Sequence, residues 1–163
     1  MGKEEPKPGP RYQSLLQLLR TAEMIWNASR LFFQKWDLSP SQFNILNLLR
    51  GSNEGLTQIE LSRELITHRS NITGLIDRLE KRDLVQRKTS EFDRRVWRVS
   101  LTKEGVTLIA EILPFYYSLI ERVWGDTPPA RAELLAKQLK HLTTETEDIV
   151  ATLEKEPQLS EKS

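Results

Sequence analysis

Cationic and short polar side chains carry most of the chemistry available to this chain. Between Arg63 and Lys103 there are eleven Lys/Arg against six Asp/Glu, a surplus of five positive charges. The rest of the sequence holds thirteen against seventeen, so a net charge of only +1 conceals a separation of charge along the chain. A concentrated cationic stretch is the footprint of a surface that meets a polyanion, and double-stranded DNA is the partner it suggests. Within that stretch stand His68, Arg69, Ser70, Asn71, Thr73, Gly74 and Arg78. Short polar residues suit base edges, the glycine permits close approach, and the two arginines can grip phosphate or guanine. His68 can contact phosphate or help cap the turn. Arg87, Lys88, Arg98 and Lys103 are candidates for phosphate contacts. In Asp93-Arg94-Arg95 a carboxylate neighbours two guanidiniums, an arrangement that orients an arginine before it binds.

Each feature has a plainer explanation. The polar residues are also what the solvated face of any amphipathic helix looks like, the cations also serve solubility, and Asp93-Arg94-Arg95 also suits a charged hairpin turn. What favours DNA is their order: a polar helix face followed by an arginine-bearing hairpin. A winged-helix adaptor that binds protein without specific DNA binding is the alternative, and it predicts a neutral or apolar recognition face.

Catalysis has no visible constellation. Cysteine is absent, which removes disulfides, thiolate nucleophiles and iron–sulfur ligation together. His68 and His141 are the only histidines and are not at metal-binding spacing, so neither a metal nor a cofactor is expected. There is no Gly-rich phosphate loop, His-Glu-x-x-His or nucleophile elbow. The reading is of a binding protein and not an enzyme.

The elements that position these residues follow from periodicity. Leu15, Leu18/Leu19, Ala22, Ile25/Trp26, Phe32/Phe33 and Trp36 recur at helical spacing and predict one long helix over 11–36. Ser39-Pro40-Ser41-Gln42 and Thr57-Gln58-Ile59-Glu60 are capping boxes that open two short helices, the first running to Arg50. A further helix ends near Arg82, burying Ile72, Leu75, Ile76 and Leu79. The period then changes to two over 84–89 and 96–101, which predicts a hairpin. Thr102 opens a helix to about Trp124, interrupted by Pro114, and a last amphipathic helix spans 130–153. The fold class is thus mainly α with a small β-hairpin: a winged helix-turn-helix module, 37–105, flanked by long dimerisation helices at 11–36 and 106–153. Residues 1–10 are expected to form a flexible arm and 154–163 a disordered tail. The flanking helices offer more apolar surface than the module can cover, which predicts a two-fold homodimer. No apolar stretch is long enough to span a membrane, and a cytoplasmic location is expected. Trp26, Phe33, Trp36 and Phe43 cluster where the first two helices meet and are chiefly core candidates.

The run from His68 to Arg87, with Asp77-Arg78-Leu79-Glu80 and Leu84-Val85, then Asp93-Arg94-Arg95, then Val99-Ser-Leu-Thr-Lys-Glu-Gly105, resembles the MarR family of bacterial and archaeal transcription regulators. The resemblance extends over roughly residues 11 to 150. It implies a homodimer with interlocked terminal helices, a winged helix per subunit on a palindromic operator, and repression relieved by a small aromatic or anionic effector. It implies that Arg95 enters the minor groove, with Asp93 orienting it and Arg94 nearer the phosphates. It also suggests an effector pocket near Trp26, Arg30, Phe33, Trp36 and Phe43, with Arg30 meeting an acidic ligand. One departure is Asp83, where the family usually has glycine; the same left-handed turn is expected there, at some cost in stability.

Overall fold

The computed structural model describes residues 9–65, 72–89 and 97–155. The chain divides into two compact units, one ending at Leu113 and one beginning at Pro114.

The first unit opens with α1, Pro10–Phe33, entered through Gly9 with proline at the first helical position, where its missing N–H costs nothing. The long first helix expected over 11–36 tightens in its last turn: Gln34–Trp36 is a 3-10 turn, closed by Asp37 in the left-handed conformation at φ 52°. A non-glycine residue there is uncommon, and its carbonyl accepts a hydrogen bond from Arg82. Then come α2, Pro40–Arg50, and α3, Gln58–Glu64. Both expected capping boxes are present. The Ser39 N–H donates to Gln42 Oε1 at 2.8 Å and the Gln42 N–H to Ser39 Oγ at 3.2 Å. The Thr57 N–H donates to Glu60 Oε2 at 2.7 Å and the Glu60 N–H to Thr57 Oγ1 at 3.2 Å.

The described part of the next helix, α4, runs Ile72–Lys81. Two strands and a long helix follow, and the sheet is larger than a hairpin. Leu56–Thr57 forms a short strand, β1, so that β2 (Val85–Thr89) and β3 (Trp97–Leu101) belong to a three-stranded antiparallel sheet in the order β1-β3-β2. Leu56 pairs with Val99 and Thr57 with Arg98 on one side of β3; Val85 pairs with Leu101, Arg87 with Val99 and Thr89 with Trp97 on the other. Gly55 allows the first pairing. At its φ of 75°, a Cβ would sit 2.4 Å from the Val99 carbonyl oxygen.

Helix α5 spans Lys103–Trp124 and continues through Pro114, where an interruption was expected. Thr102 caps it, accepting the Gly105 N–H at 3.0 Å and donating its own hydroxyl to the Asp83 carbonyl. Asp83 has φ 55°, the left-handed turn expected at this departure from glycine. The core of the unit joins Phe33, Phe43, Ile45, Leu46 and Leu49 to Leu61, Ile72, Leu75, Ile76, Leu79, Val85, Val99, Ile109 and Ile112, all nearly inaccessible to solvent. The predicted apolar stripe of α4 is buried as a set, each such side chain contributing on the order of 1.5–3 kcal/mol.

The second unit holds the rest of α5 and α6, Pro129–Leu153, separated by a turn in which Gly125 has φ 55°. No residue of α6 is buried. Phe115, Tyr117, Leu134, Leu142, Ile149 and Leu153 are each about half exposed or more, and in the first unit so are Tyr12, Leu15, Leu19, Met24 and Leu31 of α1. Among the described residues, no helix is long and apolar enough to cross a membrane.

Candidate nucleic-acid interface

With Ile72, Leu75, Ile76 and Leu79 turned inward, α4 leaves Thr73, Arg78 and Lys81 exposed and Gly74 and Asp77 partly so. Thr73, Gly74 and Arg78 therefore share the outward side of this helix. His68, Arg69, Ser70 and Asn71 lie outside the described residues, as do Asp93, Arg94 and Arg95.

The four cations expected on phosphates have different surroundings. Lys88 and Lys103 are exposed. Arg98 reaches toward Glu60 Oε2 at 3.5 Å and donates to the Gly55 carbonyl at 3.4 Å, so it bridges β3 to the cap of α3. Glu60 is in turn held below the usual carboxylate range, first by the Thr57 N–H, with smaller help from Arg98. Arg87 is the most committed. One guanidinium nitrogen donates to Asp77 Oδ1 and another to Glu80 Oε2, while the Arg87 N–H donates to Glu80 Oε1 at 3.1 Å. Its side chain is 22% exposed. Desolvation works against its charge, but the two carboxylates more than offset that and raise its pKa further above the ordinary arginine value. Arg87 thereby ties β2 to α4 and fixes the distance between the helix and the sheet that bears the hairpin.

A second tie was not evident from the sequence. Arg82, one residue past α4, donates to the carbonyls of Trp36, at 3.0 Å, and of Asp37, with the Asp37 carboxylate at 3.7 Å. Helix α4 is thus pinned at its end to the junction of α1 and α2. Nothing in local periodicity marks Arg82, since its partners are 45 and 46 residues away.

At that junction an open cleft of about 370 Å³ is bordered by Arg30, Leu31, Gln34, Asp37, Leu38, Ser39 and Gln42. Of the residues expected around an effector, Arg30 lines it. Phe33 and Phe43 stack on each other in the core with ring centroids 4.1 Å apart, and the Trp36 indole N–H donates to Glu111 Oε1 at 2.8 Å. Trp26 is 37% exposed on α1. Among the described residues no group of His, Cys, Asp or Glu is arranged to hold a metal ion.

Residues 36–96 match the model of the MarR family. An HTH-type transcriptional regulator of Bacillus cereus is 30% identical over 131 residues, 77% of this chain and 86% of that protein. Two solved structures agree in fold: CouR from Rhodococcus jostii RHA1 bound to p-coumaroyl-CoA, 25% identical, with a TM-score of 0.72 over 77% of this chain and 88% of that one; and Bordetella bronchiseptica BpsR, whose DNA binding is regulated by 6-hydroxynicotinic acid, 25% identical, with a TM-score of 0.65 over 80% and 98%.

Proposed function

Because the chain belongs to the MarR family of winged helix-turn-helix transcription regulators, we propose that it binds a palindromic operator as a homodimer, represses transcription there, and is released by a small ligand. The observation that carries this reading is the exposed polar side of α4, braced from two directions by Arg82 and Arg87 and set in the most cationic quarter of the sequence. A helix that reads bases must be rigidly oriented, and two guanidinium ties supply that.

In this reading residues 37–105 form the DNA-binding module. His68, Arg69, Ser70, Asn71, Thr73, Gly74 and Arg78 meet base edges and nearby phosphates in the major groove, while Asp93, Arg94 and Arg95 serve the minor groove. Lys88 and Lys103 stand toward phosphates. Arg87 and Arg98 contribute by holding α4 and β3 in place, since a phosphate contact would first have to break their carboxylate pairs. Residues 11–36 and 106–153 dimerise, which accounts for the apolar side chains left exposed on α1, α5 and α6. The work is done by binding and not by turnover, in the cytoplasm, where its DNA is. The ligands named with CouR and BpsR are aromatic and anionic, and Arg30 at the cleft supplies a cation for a ligand of that class.

The test is a titration of the purified protein against a random duplex library at several salt concentrations. The expected result is a two-fold motif bound by one dimer, with half-sites about one helical turn apart and affinity falling steeply with salt. Absence of any enriched motif, with only weak salt-sensitive binding, refutes sequence-specific regulation and favours a protein-binding adaptor.

A further inference from the structure

Residues directly opposite in an antiparallel pair share a face of the sheet. Val85 with Leu101, Arg87 with Val99, and Thr89 with Trp97 therefore lie on one face. That face is the one α4 covers: Val85 and Val99 are buried, and Arg87 reaches Asp77 and Glu80 of the helix. Trp97 stands two residues beyond Val99 in β3, about 7 Å further from the covered region. It is 55% exposed. The largest side chain of the strand thus occupies the outer end of a core-facing row, on the helix side of the sheet.

Indole pairs a broad apolar ring with a single N–H donor and no acceptor. That combination matches deoxyribose and phosphate, which offer a hydrophobic sugar face and anionic acceptors. If α4 enters one groove and the hairpin the next, a sugar–phosphate strand must cross between helix and sheet, over the outer end of this row. Lys88, the residue before Thr89, is exposed at the same end of the hairpin but on the opposite face of the sheet, where it adds positive charge near that end without lying beside the ring.

We propose that Trp97 is a DNA-backbone contact, its ring against a deoxyribose and its Nε1–H donating to a phosphate oxygen of the strand that separates the two grooves. The contact rests on the DNA-binding reading above. It positions the duplex between α4 and the hairpin without reading sequence.

The full-length protein, with the operator recovered by site selection, provides the test. Trp97→Ala binds that operator about tenfold more weakly, as for a well-packed interfacial aromatic. Trp97→Phe keeps a smaller aromatic ring and loses the N–H, so it falls between Trp97→Ala and the parent. Because Trp97 carries no charge, the dependence of affinity on salt is the same in all three. Operator also quenches tryptophan emission of the parent, and Trp97→Phe loses that component. Equal affinity of parent and both variants overturns the contact, as does a lowered thermal midpoint with affinity unchanged, which assigns Trp97 to packing within the protein. A parent that enriches no site overturns the DNA-binding reading and this contact with it.

Discussion

Replacing Arg87 with alanine separates two roles that its position in the sequence leaves open. In the structure its guanidinium is shared between Asp77 and Glu80, whose side chains are 48% and 38% exposed, while its own is 22% exposed. Two partly solvated ion pairs are worth about 0.5–1 kcal/mol each after screening. Removal also leaves Asp77 and Glu80 as like charges three positions apart on α4, costing about 0.3 kcal/mol more, and strips the buried stem from the helix–sheet contact. The total is about 2 kcal/mol. With a urea m value of about 1.5 kcal/mol/M, Arg87→Ala moves the unfolding midpoint down by roughly 1.3 M, measured at fixed protein concentration because the stability of the proposed dimer depends on it. A double-mutant cycle with Asp77→Asn returns a coupling of about 1 kcal/mol. The salt dependence of operator binding stays as in the parent, since a guanidinium neutralised by two carboxylates displaces no counterion from DNA. A midpoint within about 0.3 M of the parent, together with a salt slope reduced by roughly one unit, would refute the structural role and return Arg87 to the phosphates.

Three further outcomes follow from the backbone and the caps. Asp83→Gly relieves a left-handed residue at φ 55° and raises stability by about 1 kcal/mol, read in thermal or urea unfolding; a decrease would show that the carboxylate has a partner worth more than the strain. Gly105→Ala places a Cβ 2.0 Å from the Leu84 carbonyl oxygen, which already accepts the Thr102 N–H, so the carbonyl cannot retreat and the variant loses about 3 kcal/mol; an unchanged melting curve would contradict that packing. Glu60, whose pKa is lowered by the Thr57 N–H, contributes stability that is complete above the ordinary carboxylate range and is lost as pH falls through its lowered folded value. Glu60→Gln therefore costs stability at neutral pH and flattens the acid limb of a melting-temperature profile taken from about pH 7 to pH 3, whereas a parallel profile would detach Glu60 from the cap.

Much of this architecture is legible in local pattern because local pattern is what builds it. The boxes at Ser39 and Thr57 name their own helix starts, the four inward residues of α4 repeat at helical spacing, and Thr102 marks the start of α5. The departures all involve partners that lie in other elements of the fold, out of reach of local periodicity. Leu56 and Thr57 are too few to register as a strand; they become one only because β3 arrives beside them, some 40 residues later. Arg82 and Arg87 look alike in sequence to Lys88 and Lys103, and only the fold sends the first two to carbonyls and carboxylates and the others to solvent. Phe33 and Phe43 are aromatic residues at a ligand-like junction, yet they stack on each other and leave Arg30 to border the cleft. Charge and residue type establish what a side chain can hold, and the fold decides what it reaches.

The order of the sheet bears on how safely the protein can be crowded. A strand with a free edge is a template on which another chain can pair, and aggregation begins there. Here the strand carrying buried Val99 is the central one, hydrogen-bonded on both sides. One outer edge is β1, only two residues long; the other is β2, which carries Arg87 and Lys88. A second copy approaching either edge finds too few backbone groups to pair with, or meets the exposed Lys88. The small third strand thus occupies, at Arg98 and Val99, part of the edge that a bare hairpin would have left open on β3.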